Sequence, residues 1–294
     1  MTESKAPLSL NKAGQGDTPP TAPHLEGLNL DWAGYLAAGE YRRALAAARL
    51  TQPPLPTPLI SGLESLHDLQ EHVRAHKYAQ ARRSLTRLQE DLGESGEGLS
   101  LLRRAASLPE LGAALGSLEA AESARHVEPA ELQAALAPAL DVPLTRAEAL
   151  NVLGVLHAIH EENAEARATF EQAVAADPGH YRAISNIGNL ELQAGNFKEA
   201  EAAQRRAIAL SPDFAGAHHN LGVALRRQGR LNDSVKSIRK GQRLALRRMR
   251  EDAPRLSLGG ARGGQSPKWL NPSTLRIIGL IVAVVVFYLF LKGR

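Results

Sequence analysis

Cysteine is absent from the 294 residues, which excludes disulfides, thiolate metal sites and cysteine nucleophiles while leaving the redox compartment open. Aromatic residues amount to only 4%, and the 44% hydrophobic fraction is mostly alanine and leucine. Those residues favour helix and suit closely packed helical hairpins better than sheets, so the expected fold is all-α. The first twenty residues, MTESKAPLSLNKAGQGDTPP, lack a basic start followed by an apolar run. No secretory signal is read there, and the bulk of the chain is expected in the cytoplasm. Also missing are a phosphate-cradling glycine motif and an acyl-transfer nucleophile in a recognisable setting. His157 and His160 lie i, i+3 beside Glu161 and Glu162, whereas a zinc-protease pattern needs i, i+4 histidines with glutamate between them. His218 and His219 cannot share one helix face. Neither enzymatic activity, a metal nor a cofactor is expected.

Charge of one sign is scarce in one part of the chain and abundant in another. The formal net charge is +4, yet residues 226–276 hold fourteen Lys and Arg against three Asp and Glu, which leaves residues 1–225 at −9. An acidic body joins a basic neck.

Residues 1–27 are rich in Gly, Pro, Ser and Thr and have too little apolar surface to offset ordering entropy, so they read as disordered. From 28 to 140 the spacing of Leu and Ala predicts helical hairpins. Two short helices break at Gly39, the prolines of 51–58 form a stiff stop, a second hairpin turns at His76-Lys77, and helices follow over 99–121 and 129–140. A 34-residue repeat then emerges between Arg146 and Arg248: Gly154, Gly188 and Gly222 recur at that interval, each preceded by Leu or Ile. Twelve residues after each glycine stands Ala166, Ala200 or Ser234, and Pro178 and Pro212 close the first two units where the next helix is expected to begin. Small residues at such positions let paired helices approach closely, while Gly195 and Gly229 suit the turns between them.

These blocks resemble the tetratricopeptide repeat (TPR) family. The resemblance implies three stacked units over 146–250, the last with an extended basic helix, and degenerate hairpins of the same kind over 28–140. In the third unit the bulky residue early in the first helix is replaced by His218, so that unit is either looser or has His218 partly exposed. The family lines its concave face with the first helix of each unit and lays an extended or helical peptide along it. The residues expected there are Asn151, Arg182, Asn186, Asn189, Asn220, Arg226 and Arg227. Asn186 and Asn220 hold equivalent places and resemble the asparagine ladders of O-GlcNAc transferases; the alternative is polar residues on a wet helix face. The cationic members of the family's carboxylate clamp are missing here.

After a Gly/Arg-rich linker at 251–274, residues 277–291 contain no charge, and 275–291 would cover about 25 Å as a helix, with Arg276 and Lys292 able to snorkel. A single transmembrane helix is expected at 275–291, tail-anchored, with the repeats cytoplasmic by the positive-inside rule. Arginine- and alanine-rich, lysine-poor composition points to a GC-rich bacterial genome and hence its inner membrane, with a eukaryotic organelle as the alternative. Arg239, Lys240, Arg243, Arg247, Arg248, Arg250 and Arg276 are expected against anionic lipid headgroups. The function expected is a membrane-anchored scaffold for a protein or peptide partner. The alternative is nucleic-acid binding through the basic 226–268 neck, disfavoured because the neck lacks interleaved aromatics.

Overall fold

The computed structural model describes residues 31–93, 99–123 and 128–252. The expected disordered segment 1–27, the linker after 252 and the apolar run 275–291 lie outside the described residues. Among the described residues the secondary structure is all helix, and none of these helices is long and apolar enough to cross a membrane.

The helices are α1 (Trp32–Ala37), α2 (Tyr41–Leu50), α3 (Thr57–Arg74), α4 (Tyr78–Gly93), α5 (Leu99–Ala105), α6 (Leu108–Ser123), α7 (Pro129–Ala135) and α8 (Ala137–Asp141). Three longer hairpins follow: α9 (Pro143–Ile159) with α10 (Asn163–Ala176), α11 (Tyr181–Ala194) with α12 (Phe197–Leu210), and α13 (Ala215–Arg227) with α14 (Leu231–Asp252). By contact the chain divides after Ala245, and of the second unit only the last residues of α14 are described.

One turn is used five times. Gly39, His76, Glu161, Gly195 and Gly229 all have left-handed φ values, between 57° and 82°. In each case the next residue's N–H reaches back five residues: Glu40 to Tyr35 O, Lys77 to His72 O, Glu162 to His157 O, Asn196 to Glu191 O and Arg230 to Leu225 O, at 2.8–3.0 Å. This bond satisfies a helix-end carbonyl and reverses the chain in three residues. Thus α1/α2 and α3/α4 turn like the three repeat units, although His76 and Glu161 accept a conformation that glycine adopts at lower cost.

The small residues act as the sequence implies. A Cβ on Gly154 would lie 2.7 Å from the Phe170 ring, one on Gly188 2.6 Å from Gln204 Nε2, and one on Gly222 2.4 Å from Ile238. Phe170, Gln204 and Ile238 each stand sixteen residues after their glycine, so one register is kept in all three hairpins. Ser234 fills the small-residue place of the third unit and donates to Gly222 O at 2.6 Å, which removes the cost of burying its hydroxyl.

Several expectations need correction. The helix expected over 99–121 is two, interrupted before Leu108, and that expected over 129–140 is also two. The proline stop ends at Pro56, because Pro58 sits in the first turn of α3, where its missing N–H costs nothing. Pro178 and Pro212 lie in the loops three residues ahead of α11 and α13, not at a helix start. His218 is buried, and its Nε2–H donates to Pro212 O at 2.9 Å. Burial lowers its pKa in spite of that bond, so a neutral imidazole fills the place of the missing aliphatic.

The N-terminal helices and the first repeat unit share a core. Leu63, Leu66, Leu88, Leu102, Leu115 and Leu136 form one cluster that takes in Leu153 and Leu156 of α9. Two smaller clusters follow, one joining Phe170 of the first unit to Leu190 of the second, the other around Tyr181 with Ile184. Two polar clips reinforce the junction. Arg74, at the end of α3, forks both oxygens of Asp177 at 2.6 Å, and Asp177 also accepts the Gly179 N–H at 3.0 Å. The second clip centres on the fully buried Glu148 of α9, to which His180 Nε2 donates at 2.8 Å while His76 Nε2 faces the other oxygen. His180 Nδ1 accepts the Ala183 N–H at the start of α11, which fixes the proton on Nε2. Burial alone would raise the Glu148 pKa, but the hydrogen bond from His180 and the close approach of His76 hold it down at about 2. The Tyr78 hydroxyl, 3.4 Å from the same carboxylate, is pushed up by burial and by that charge.

Candidate peptide-binding face

The first helices α9, α11 and α13 lie side by side, each touching the next. Because the units repeat every 34 residues, equivalent positions form rows across them. Glu148, Arg182 and Gly216 make the first row; Val152, Asn186 and Asn220 the second; Val155, Asn189 and Val223 the third; and Ile159, Gln193 and Arg227 the fourth. Successive rows are three or four residues apart, so they share one face of each helix.

A chain of side-chain amides crosses this face. Asn186 Nδ2 donates to Asn151 Oδ1 at 2.9 Å, and Asn220 Nδ2 donates to Asn189 Oδ1 at 2.7 Å. Asn189 Nδ2 stands 3.5 Å from Asn186 Oδ1, and Gln204 Nε2 donates to Asn189 Oδ1 at 3.2 Å. Of the expected residues the structure therefore joins Asn151, Asn186, Asn189 and Asn220 into one strut linking three helices, with Asn151 itself buried. These amides satisfy one another, which is a better use of a half-buried carboxamide than an empty rung.

Arg182 lies in the first row with its guanidinium 5.9 Å over the Phe214 ring and its Nε buried without a hydrogen-bond partner. Tyr78 and His76 of the α3/α4 turn meet Glu148 at this end of the face and cover it. Exposure rises along α9 from this closed end: Val152 packs against the N-terminal core, Val155 is 39% exposed and Ile159 70%. Arg226 and Arg227, at the end of α13, are exposed. Sequence reasoning placed Val155 in the groove only as a position where the clamp residue is missing, and it missed Ile159, whose signal was the apolar run Val152, Val155, Ile159 along one face of α9. It also missed Glu148, a lone acid in an apolar helix face.

Of the expected lipid-facing residues, Arg239, Lys240, Arg243, Arg247, Arg248 and Arg250 are exposed along α14, and Arg276 lies outside the described residues. Leu231, Val235, Leu246 and Met249 are exposed on the same helix. His157 is engaged by Glu162 at 2.6 Å. A cleft of about 450 Å³ between α2 and α3 is walled by charges of both signs, with Arg49 and Glu64 already paired at 2.5 Å.

Comparison with known families gives a match to the tetratricopeptide repeat over residues 157–205 and to the TPR repeat over 188–229. TPR repeats are therefore present in this stretch, in an all-α helical-repeat fold. Similar solved structures include one titled "Crystal structure of MamA protein", 16% identical with a TM-score of 0.37, covering 66% of this chain and 97% of that one. A second MamA structure is 18% identical at a TM-score of 0.38, covering 61% and 95%. BtubC (BKLC) from P. vanneervenii is 16% identical at 0.36, covering 81% and 92%. No curated protein matches the chain.

Proposed function

We propose that this chain is a membrane-anchored scaffold, a binding protein and not an enzyme, which takes a segment of a partner protein on the face formed by α9, α11 and α13. The observation that carries the reading is a rigid, self-bonded amide strut flanked by side chains turned outward without a structural task, Val155 and Ile159 on one side and Arg226 and Arg227 on the other. TPR repeats generally serve protein partners, which supports the same assignment. Anchoring is proposed through the uncharged run within 275–291. The basic, partly apolar α14 lies toward anionic headgroups, each cation near the surface contributing about 1 kcal/mol, with the repeats in the cytoplasm of a bacterial cell.

Two measurements test this reading. Alkaline carbonate should leave the full-length chain in the membrane pellet, and release into the supernatant would remove the anchor. A partner crosslinked to the tagged full-length chain in native membranes should be lost with the double variant Val155→Asp and Val223→Asp. Undiminished recovery would remove the binding face.

A further inference from the structure

The asparagines hold three helices together, so what distinguishes one partner from another lies on the two borders of the strut. On the α9 border, Val155 and Ile159 are four residues apart on one helix face and exposed. Beside them Glu161 is exposed in the turn and gives that border a negative charge. On the α13 border, Arg226 and Arg227 are exposed and, among the described residues, form no ion pair. The carboxylate of the face itself, Glu148, is buried and bonded. The α9 border is therefore apolar with an acidic edge, the α13 border is cationic, and Arg182 at the closed end of the face adds a further cation, stacked on Phe214.

Resting on the binding reading above, we infer that the partner segment is an acidic amphipathic peptide whose apolar side chains sit on Val155 and Ile159 and whose carboxylates meet Arg226 and Arg227. Packed helices stand about 8–10 Å apart, so two helix spacings separate the borders by roughly 16–20 Å. An extended chain rising about 3.3 Å per residue crosses that distance in about five or six residues. Glu161 repels carboxylates from the α9 border, which fixes the direction of the peptide, and a basic segment would meet like charge at α13.

The probe is a fluorescein-labelled peptide with two leucines and two glutamates separated by four serine and glycine residues. It is titrated by anisotropy against the full-length protein in neutral phosphatidylcholine nanodiscs. Binding should be at least tenfold tighter than for the same peptide with lysines in place of the glutamates, and tenfold tighter than with a one-residue spacer. The double variant Arg226→Ser and Arg227→Ser should lose the preference for glutamate over lysine, and Ile159→Ser should weaken both peptides. These side chains are exposed, so helicity should be unchanged. Equal binding of the lysine peptide, or an undiminished glutamate preference in the double arginine variant, overturns the inference. If no peptide binds while the partner is still recovered with the wild type and lost with Val155→Asp and Val223→Asp, the acidic class is wrong and the face stands. Loss of both removes both.

Discussion

Replacing Glu148 with glutamine keeps the volume of the side chain and removes its charge from the junction between the α3/α4 turn and the first two repeat units. The wild-type carboxyl has its pKa lowered from 4.5 to about 2. Because the folded value is the lower one, the stability it contributes is complete above the unfolded pKa and is lost as pH falls through the folded value. A shift of that size corresponds to about 3 kcal/mol at pH 7 and about 1 kcal/mol at pH 3. The glutamine variant lacks this carboxyl, and carboxyls elsewhere titrate alike in both proteins, so the change in the gap with pH reports on Glu148 together with His76 and His180, which touch it. The stability gap between wild type and Glu148→Gln should therefore narrow by about 2 kcal/mol on going from pH 7 to pH 3. Thermal unfolding followed by circular dichroism at 222 nm should show a Tm difference of roughly 6–12 °C at pH 7, shrinking on acidification. A gap that stays constant with pH, or one below about 1 kcal/mol at pH 7, would refute the claim that an ionised Glu148 ties these helices together.

Arg74→Ala breaks the forked pair with Asp177 and should cost about 2 kcal/mol, seen as a lower Tm and as faster proteolytic cleavage near the α3/α4 turn. Gly154→Ala drives a methyl group against the Phe170 ring and should cost about 1–3 kcal/mol, whereas Gly112→Ala, with open space around its Cβ position, should be neutral or slightly stabilising by the same melt. Gly195→Ala is strained only by its left-handed backbone, φ 82°, and should cost about 1 kcal/mol without changing helicity at 25 °C.

The repeat was legible because the close approach of paired helices demands small residues at fixed places, and Gly154, Gly188 and Gly222 declare themselves in the sequence. Turn glycines at 39, 195 and 229 were legible for a different reason, the left-handed backbone that a tight reversal between helices demands. His76 and Glu161 adopt the same left-handed turn, but residue type gives no sign of it there, so how closely the α3/α4 turn matches the repeat units was hidden. The helices between Leu99 and Asp141 keep no 34-residue period, and their breaks come from local packing that a periodic reading passes over. At the candidate site Asn186 and Asn220 were visible as equivalent positions. Their actual partners, Asn151 and Asn189, sit outside that equivalence, so a ladder read from spacing became a strut once geometry was known. The Glu148 cluster unites residues 70 and 32 positions apart in the chain, and periodicity reports which face a residue takes, not which distant side chain meets it.

The most direct measurement places a photocrosslinking benzoylphenylalanine at Val155 or Val223 on the face formed by α9, α11 and α13, and at Ala202 on the exposed side of α12, in the full-length chain in living cells. Irradiation should yield a crosslinked partner from the two positions on that face and none from position 202. A partner captured from position 202 alone would contradict the account.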